Sequence, residues 1–110
     1  MPIIHIVLFE WKPTASHYQI QKICTQMLAL KENCIHATTQ KPYIKSFTGG
    51  KNNSPEGHAG NLSHGFVVEF ESVADRDYYV HEDAAHLAFV KDAGELIEGI
   101  KVLDYEVGKM

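Results

Sequence analysis

The chain has 110 residues, a length that supports one domain with a modest core. Its 45% hydrophobic and 22% charged residues are ordinary for a soluble globular protein. A formal charge of −4 with no basic stripe argues against a nucleic-acid partner, and no apolar run approaches the length of a membrane span.

Ile3 to Glu10 is apolar on both parities. Ile3, His5, Val7 and Phe9 project one way, and Ile4, Ile6 and Leu8 the other, the pattern of a strand buried on both faces. The opening MPIIHIVLF lacks a basic n-region and a small-residue cleavage site, so it is not expected to be a signal peptide. Pro13 breaks the strand. Ser16 and Gln19 have the spacing of a capping box. Ile20, Ile23, Met27 and Leu30 then recur at helical spacing, with Cys24 and Leu28 alongside, predicting a helix from about His17 to Asn33. Cys24 and Cys34 fall on this helix in the same reading. Ten residues at 1.5 Å rise put them roughly 15 Å apart, too far for a disulfide. Free thiols fit a reducing, cytoplasmic compartment and a role as small core residues.

Tyr43 to Thr48 reads as a second strand. The following TGGKNNSPEGHAGNLS is a long polar loop, expected to be mobile and to cover a pocket from Gly49 to Ser63. His64 to Glu71 is the third strand, with Phe66, Val68 and Phe70 on one face. Ser72 with Asp75 starts a helix through about Val80. A second helical piece runs from about Asp83 to Ile97, interrupted near Gly94, and Val102 to Val107 closes the chain as a strand.

The order β-α-β-β-α-β predicts a ferredoxin-like α+β domain over residues 1–110, an antiparallel sheet with both helices on one face. The other face is too apolar for a monomer. Two copies stacked sheet on sheet about a two-fold axis would bury it, giving a homodimeric α+β barrel with a pocket or a packed core between the sheets.

Proton-handling side chains concentrate between Ser63 and Val90: His64, Tyr78, Tyr79, His81 and His86. Tyr78 and Tyr79 are about 100° apart on a helix, so one of them faces any given pocket. His81 and His86 are roughly 140° apart on a single helix and lack the i, i+4 spacing of zinc motifs, so neither a metal site nor a cofactor is expected. His5 and His64 each interrupt an apolar strand, where an imidazole costs free energy unless it is paired. Every one of these residues also has a structural reading, as a hydrogen-bonded core histidine or an aromatic filling the helix–sheet interface. His81 reads as an exposed turn residue, His17, His36 and His58 as surface, and Trp11 as packing. Glu69/Glu71 and Asp75/Asp77 read as solvated faces.

The segments HIVLF, SHGFVVEFES, DRDYYVHEDAAHLAFV and LDYE resemble the stress-responsive dimeric A/B barrel family over nearly the whole chain. The family's best-understood enzyme is a plant polyketide cyclase, which closes a linear tetraketide thioester by aldol condensation without a cofactor. The resemblance implies that His86, in AAHLAF, is a general base and Tyr79 its oxyanion partner. It further implies that His5 and His64 line the substrate pocket. Where the cyclase has His-Pro-Ala-His, this chain has HEDAAH, longer and without proline, and its Tyr79-to-His86 spacing is one residue longer, so Tyr78 stands as an alternative substrate-binding tyrosine. The implied function is a cofactor-free cyclase or lyase acting on a small polyketide-like molecule. Two alternatives stay open. One is a non-catalytic stress-responsive dimer. The other is a haem-binding or oxygen-using barrel enzyme, for which no axial-ligand motif is legible.

Overall fold

A computed structural model describes residues 1–110. The elements in chain order are β1 (Ile3–Trp11), α1 (His17–Asn33), β2 (Ile44–Lys51), β3 (His64–Phe70), α2 (Val73–His81), α3 (Ala84–Gly94) and β4 (Ile97–Glu106). The strands form one antiparallel sheet in the order β2-β3-β1-β4. This is the ferredoxin-like arrangement, with the second helical region divided into α2 and α3.

Local chemistry explains the first helix. The Gln19 N–H donates to Ser16 Oγ at 3.1 Å, and the Ser16 N–H donates to Gln19 Oε1 at 2.9 Å. The capping box thus satisfies donors that an α-helix leaves unpaired at its start. Ile23, Met27 and Leu30 bury the inner stripe of α1. They meet Ile3, Val7 and Phe9 of β1, Phe66, Val68 and Phe70 of β3, and Ile44 and Phe47 of β2. Burial alternates strictly along β1 from Ile3 to Phe9, with the odd residues under the helices. The even face, including Ile6 and Leu8, continues onto Val67, Leu103 and Tyr105, which are all exposed.

Three boundaries differ from the sequence reading. β2 continues through Gly49, Gly50 and Lys51, which pair with Phe66, Gly65 and His64. Glycine is a weak strand former, and here the ladder to β3 overrides that preference. Gly49 is required by contact, because a Cβ there would collide with the Phe66 ring. Ile97, read as the end of a helix, and residues 98–101, read as neither helix nor strand, begin β4 and pair with β1 from Trp11 back to Leu8 across an irregularity at Glu10/Trp11. Cys34 caps the end of α1 rather than lying on it, and both cysteines are free.

Candidate active site

The site begins at the break between α2 and α3. The N–H groups of Glu82 and Asp83 both donate to the Tyr78 carbonyl, at 2.8 and 2.9 Å, which closes α2. Asp83 then caps α3, its Oδ1 accepting from the N–H groups of Ala85 at 2.9 Å and His86 at 3.1 Å. Its Oδ2 accepts from the Tyr43 hydroxyl at 2.6 Å. Three donors compensate a carboxylate that is only 1% exposed. Burial and this carboxylate together push the Tyr43 phenol pKa up, so it stays a donor. HEDAAH spans this break. Beyond it His86 lies on Tyr79, with ring centroids 3.9 Å apart and planes 27° from parallel.

Tyr79 and His86 form part of the wall of a cavity of about 740 Å³ between the sheet and the α2–α3 pair. His5, Val7, Ile100, Val102 and Asp104 supply the sheet side. This cavity lies within a single chain, on the helix side of the sheet. The helices explain this: α1 packs toward β2, and β4 at the other edge has no helix seated on it.

The polar end of the cavity is a connected set. His5, 6% exposed, places Nδ1 at 2.7 Å from Asp104 Oδ1. Arg76 Nη1 donates to Asp104 Oδ2 at 2.8 Å, and Arg76 Nε to Asp77 Oδ1 at 2.8 Å. A carboxylate oxygen accepts, so the His5 proton facing Asp104 sits on Nδ1 and Nε2 is the nitrogen turned away from it. The His5 ring meets Tyr79 edge-on at 5.8 Å.

Tyr79 is fully buried, and its hydroxyl has no hydrogen-bond partner; neither has Nδ1 of His86. A buried unpaired polar atom costs about 1–3 kcal/mol and asks for an explanation. Burial holds the His86 pKa below the ordinary histidine value, and nearby His5 adds to this. The Tyr79 backbone carbonyl and the Asp83 charge pull the other way. Burial also pushes the Tyr79 phenol pKa up, so the hydroxyl remains a donor.

The other expected site residues fall elsewhere. Tyr78 does not line the cavity. Its hydroxyl accepts from the Ala37 N–H at 3.1 Å, and its ring stacks on His36 at 4.1 Å. The helical step of about 100° that puts Tyr79 on the cavity turns Tyr78 toward the α1–β2 connection. His64 does not line this cavity either. It pairs with Phe9 in the sheet register, four residues along β1 from His5, and borders a separate cavity beside α1. Ser63 and Lys51, at the ends of the polar loop, border that same second cavity. No residue of 49–63 lines the first cavity.

His81 is exposed, as read, yet contributes to the wall beside Tyr79. Arg76 and Asp104 were not singled out from sequence. Asp104 lies opposite His5 only because of the β1–β4 register. No three His, Cys, Asp or Glu side chains converge as a group able to hold a metal ion. No helix is long and apolar enough to cross a membrane.

The chain is similar in structure to a hydroxynitrile lyase from Passiflora edulis, with 26% identity, a TM-score of 0.81, and coverage of 99% of this chain and 95% of that one. It also resembles a protein of Arabidopsis thaliana at 24% identity and a TM-score of 0.77, over 98% of this chain and 97% of that one. A third likeness is to a dimeric ferredoxin-like protein from Jannaschia sp., at 21% identity and a TM-score of 0.75, over 97% and 100% of the two chains. The last two likenesses carry the fold alone. No curated protein matches the chain. Residues 3–107 match the stress responsive A/B barrel domain, and the chain belongs to that family.

Proposed function

We propose that the cavity is the active site of a lyase or cyclase that makes or breaks a carbon–carbon bond beside an oxygen-bearing carbon of a small substrate, of polyketide or hydroxynitrile type. One observation carries this reading: His5, Tyr79 and His86 stand side by side along the wall of one largely apolar cavity, at 5.8 and 3.9 Å between successive rings. Reactions of this class need a base for a hydroxyl or carbon-bound proton and a donor for the oxygen that gains charge. His86, kept neutral near pH 7 by burial, takes the proton, and the protonated Tyr79 phenol serves the oxygen. Apolar side chains such as Val7, Phe89 and Val102 receive the hydrocarbon part. The open interior supports an enzyme over a non-catalytic protein with a filled core, since about 740 Å³ is within the range of small-molecule sites.

His5 has a rival claim to the role of base. Asp104 fixes its tautomer and would stabilise the imidazolium, as a carboxylate does behind a catalytic histidine.

The active unit is a homodimer. The exposed Val67, Leu103 and Tyr105 on the uncovered sheet face support this, as do similar proteins of known structure that are dimeric.

The deciding experiment is a screen of the purified chain against cyanohydrins and polyketide thioesters, with His86→Ala in parallel. Turnover that disappears in a folded His86→Ala protein is the expected result. No turnover of either class, together with His86→Ala doing nothing but lowering the melting temperature, would overturn the reading.

A further inference from the structure

A second cavity of about 560 Å³ is built from the first half of α1 and the ends of the strands at Trp11, Lys51 and His64. Phe66 borders it and packs at 5.6 Å on Phe9, which borders the first cavity. This aromatic pair, with both rings at 1% exposure, is the partition between the two spaces. We propose that the second cavity binds a medium-chain carboxylate, the anionic head at Lys51 and His64 and the hydrocarbon against Trp11, Ile20, Leu28 and Phe66.

Charge is the first argument. The chain carries 14 acidic residues and a formal charge of −4, yet no Asp or Glu lines this cavity. Its charged and titratable side chains of the other kind are Lys51, His64 and His17. A concave, partly apolar site with a single cation and no acid attracts an anion. Gln21, Thr25 and Ser63 add neutral hydrogen-bonding groups at the same surface.

The state of His64 is the second argument. Its Nδ1 accepts from the Trp11 indole N–H at 2.9 Å, and the Ser63 hydroxyl stands 3.0 Å from the same nitrogen. An indole nitrogen is a donor only, so Nδ1 is bare and the ring proton sits on Nε2. A second proton would have to enter against the indole. Burial and the charge of Lys51 oppose it further. His64 is thereby fixed as a neutral donor at Nε2, suited to a carboxylate oxygen and unsuited to accepting protons. This separates it in role from His86 and assigns the cavity to binding rather than chemistry.

Trp11 is the only tryptophan in the chain, so its fluorescence reports on this cavity directly. The experiment is a titration of the intact protein with octanoate, kept below its critical micelle concentration. A saturable change in Trp11 emission is expected. Octan-1-ol, which has the tail without the charge, should bind about tenfold or more weakly, as should octanoate to Lys51→Met, because a charge-assisted hydrogen bond is lost. Thr25→Glu, at an exposed helix position, should weaken octanoate binding by placing an acid in the wall. The proposal is overturned by the absence of a saturable change. Equal affinity for octanol and octanoate, or unchanged affinity in both folded variants, would overturn it as well.

Discussion

Asp104 decides which nitrogen of His5 carries the proton. Their side chains meet at 2.7 Å across the β1–β4 pair, and Arg76 holds the other carboxylate oxygen at 2.8 Å. The imidazole is therefore oriented from behind, with its second nitrogen unencumbered. His86 has the opposite character, stacked on Tyr79 with an unpartnered Nδ1.

This contrast ranks two variants. With His86 as base, His86→Ala should lower kcat/KM by about 10²–10⁴-fold, the contribution of a positioned base. Asp104→Asn, which weakens the anchoring of His5 and the pairing with Arg76, should cost less. Steady-state kinetics on a turned-over substrate gives the ranking. A larger loss in Asp104→Asn, matched by His5→Ala, would transfer the base role to His5.

Tyr79→Phe separates function from packing. The hydroxyl it removes is buried without a partner in the protein, so its loss should leave the melting temperature unchanged or raise it. Activity should fall by about 10²–10³-fold if the phenol serves the developing charge. Tyr78→Phe should behave in reverse. It leaves activity alone and costs about 0.5–1.5 kcal/mol, because Ala37 loses the acceptor of its N–H. A Tyr79→Phe protein that is destabilised yet fully active would remove Tyr79 from the mechanism.

Stability should rise with pH just below neutrality. Burial lowers the pKa of His86, and burial with Lys51 lowers that of His64. In the folded state both release their proton more readily than in the unfolded chain, where histidine titrates near about 6.5. Below that value the unfolded chain binds more protons, so it gains on the folded one. The stabilisation is complete above about 6.5 and drains away as the pH falls through it toward the folded values. Thermal melts across this window check the sign, and His86→Phe should flatten the curve. A melting temperature that climbs on acidification from neutrality would contradict the assignment.

Asp83→Ala should be among the most damaging single changes. It removes the cap of α3, about 0.5–2 kcal/mol, and leaves the Tyr43 hydroxyl without its acceptor, about 1–3 kcal/mol more. Denaturant unfolding gives the sum. Because the same carboxylate receives the His86 N–H, the cavity wall should loosen with it. A loss within the range of an ordinary surface substitution would show that the α2–α3 break does not depend on this residue.

Leu103→Asp should test the uncovered sheet face. Leu103 is 60% exposed in the single chain and lies beside Ile6 in the register. Sedimentation should show a dimer for the parent protein, with a buried interface above roughly 1,200 Å², and a monomer for the variant. A parent that sediments as a stable folded monomer would set the dimer aside.

The sequence by itself determined the ferredoxin-like order, the span of α1 and the two alternating residue sets of β1, because capping and periodicity are local signals; which set lies under the helices was decided by the fold. It also brought forward His5, Tyr79 and His86 through the resemblance of HIVLF and DRDYYVHEDAAHLAFV to its family. Tertiary structure decided the rest. Glycine-rich Gly49–Lys51 became strand because β3 supplied a ladder, and residues 97–101 became strand because β1 had an open edge. The choice between Tyr78 and Tyr79 rested on the helix phase relative to the sheet, and the path of HEDAAH on where α2 ends at His81 and Asp83 caps α3. Asp104 met His5 through strand register, Arg76 reached Asp104 from α2, and His64 met Trp11 at the second cavity. Each of these depends on contacts between residues far apart in the chain, which no window of sequence contains.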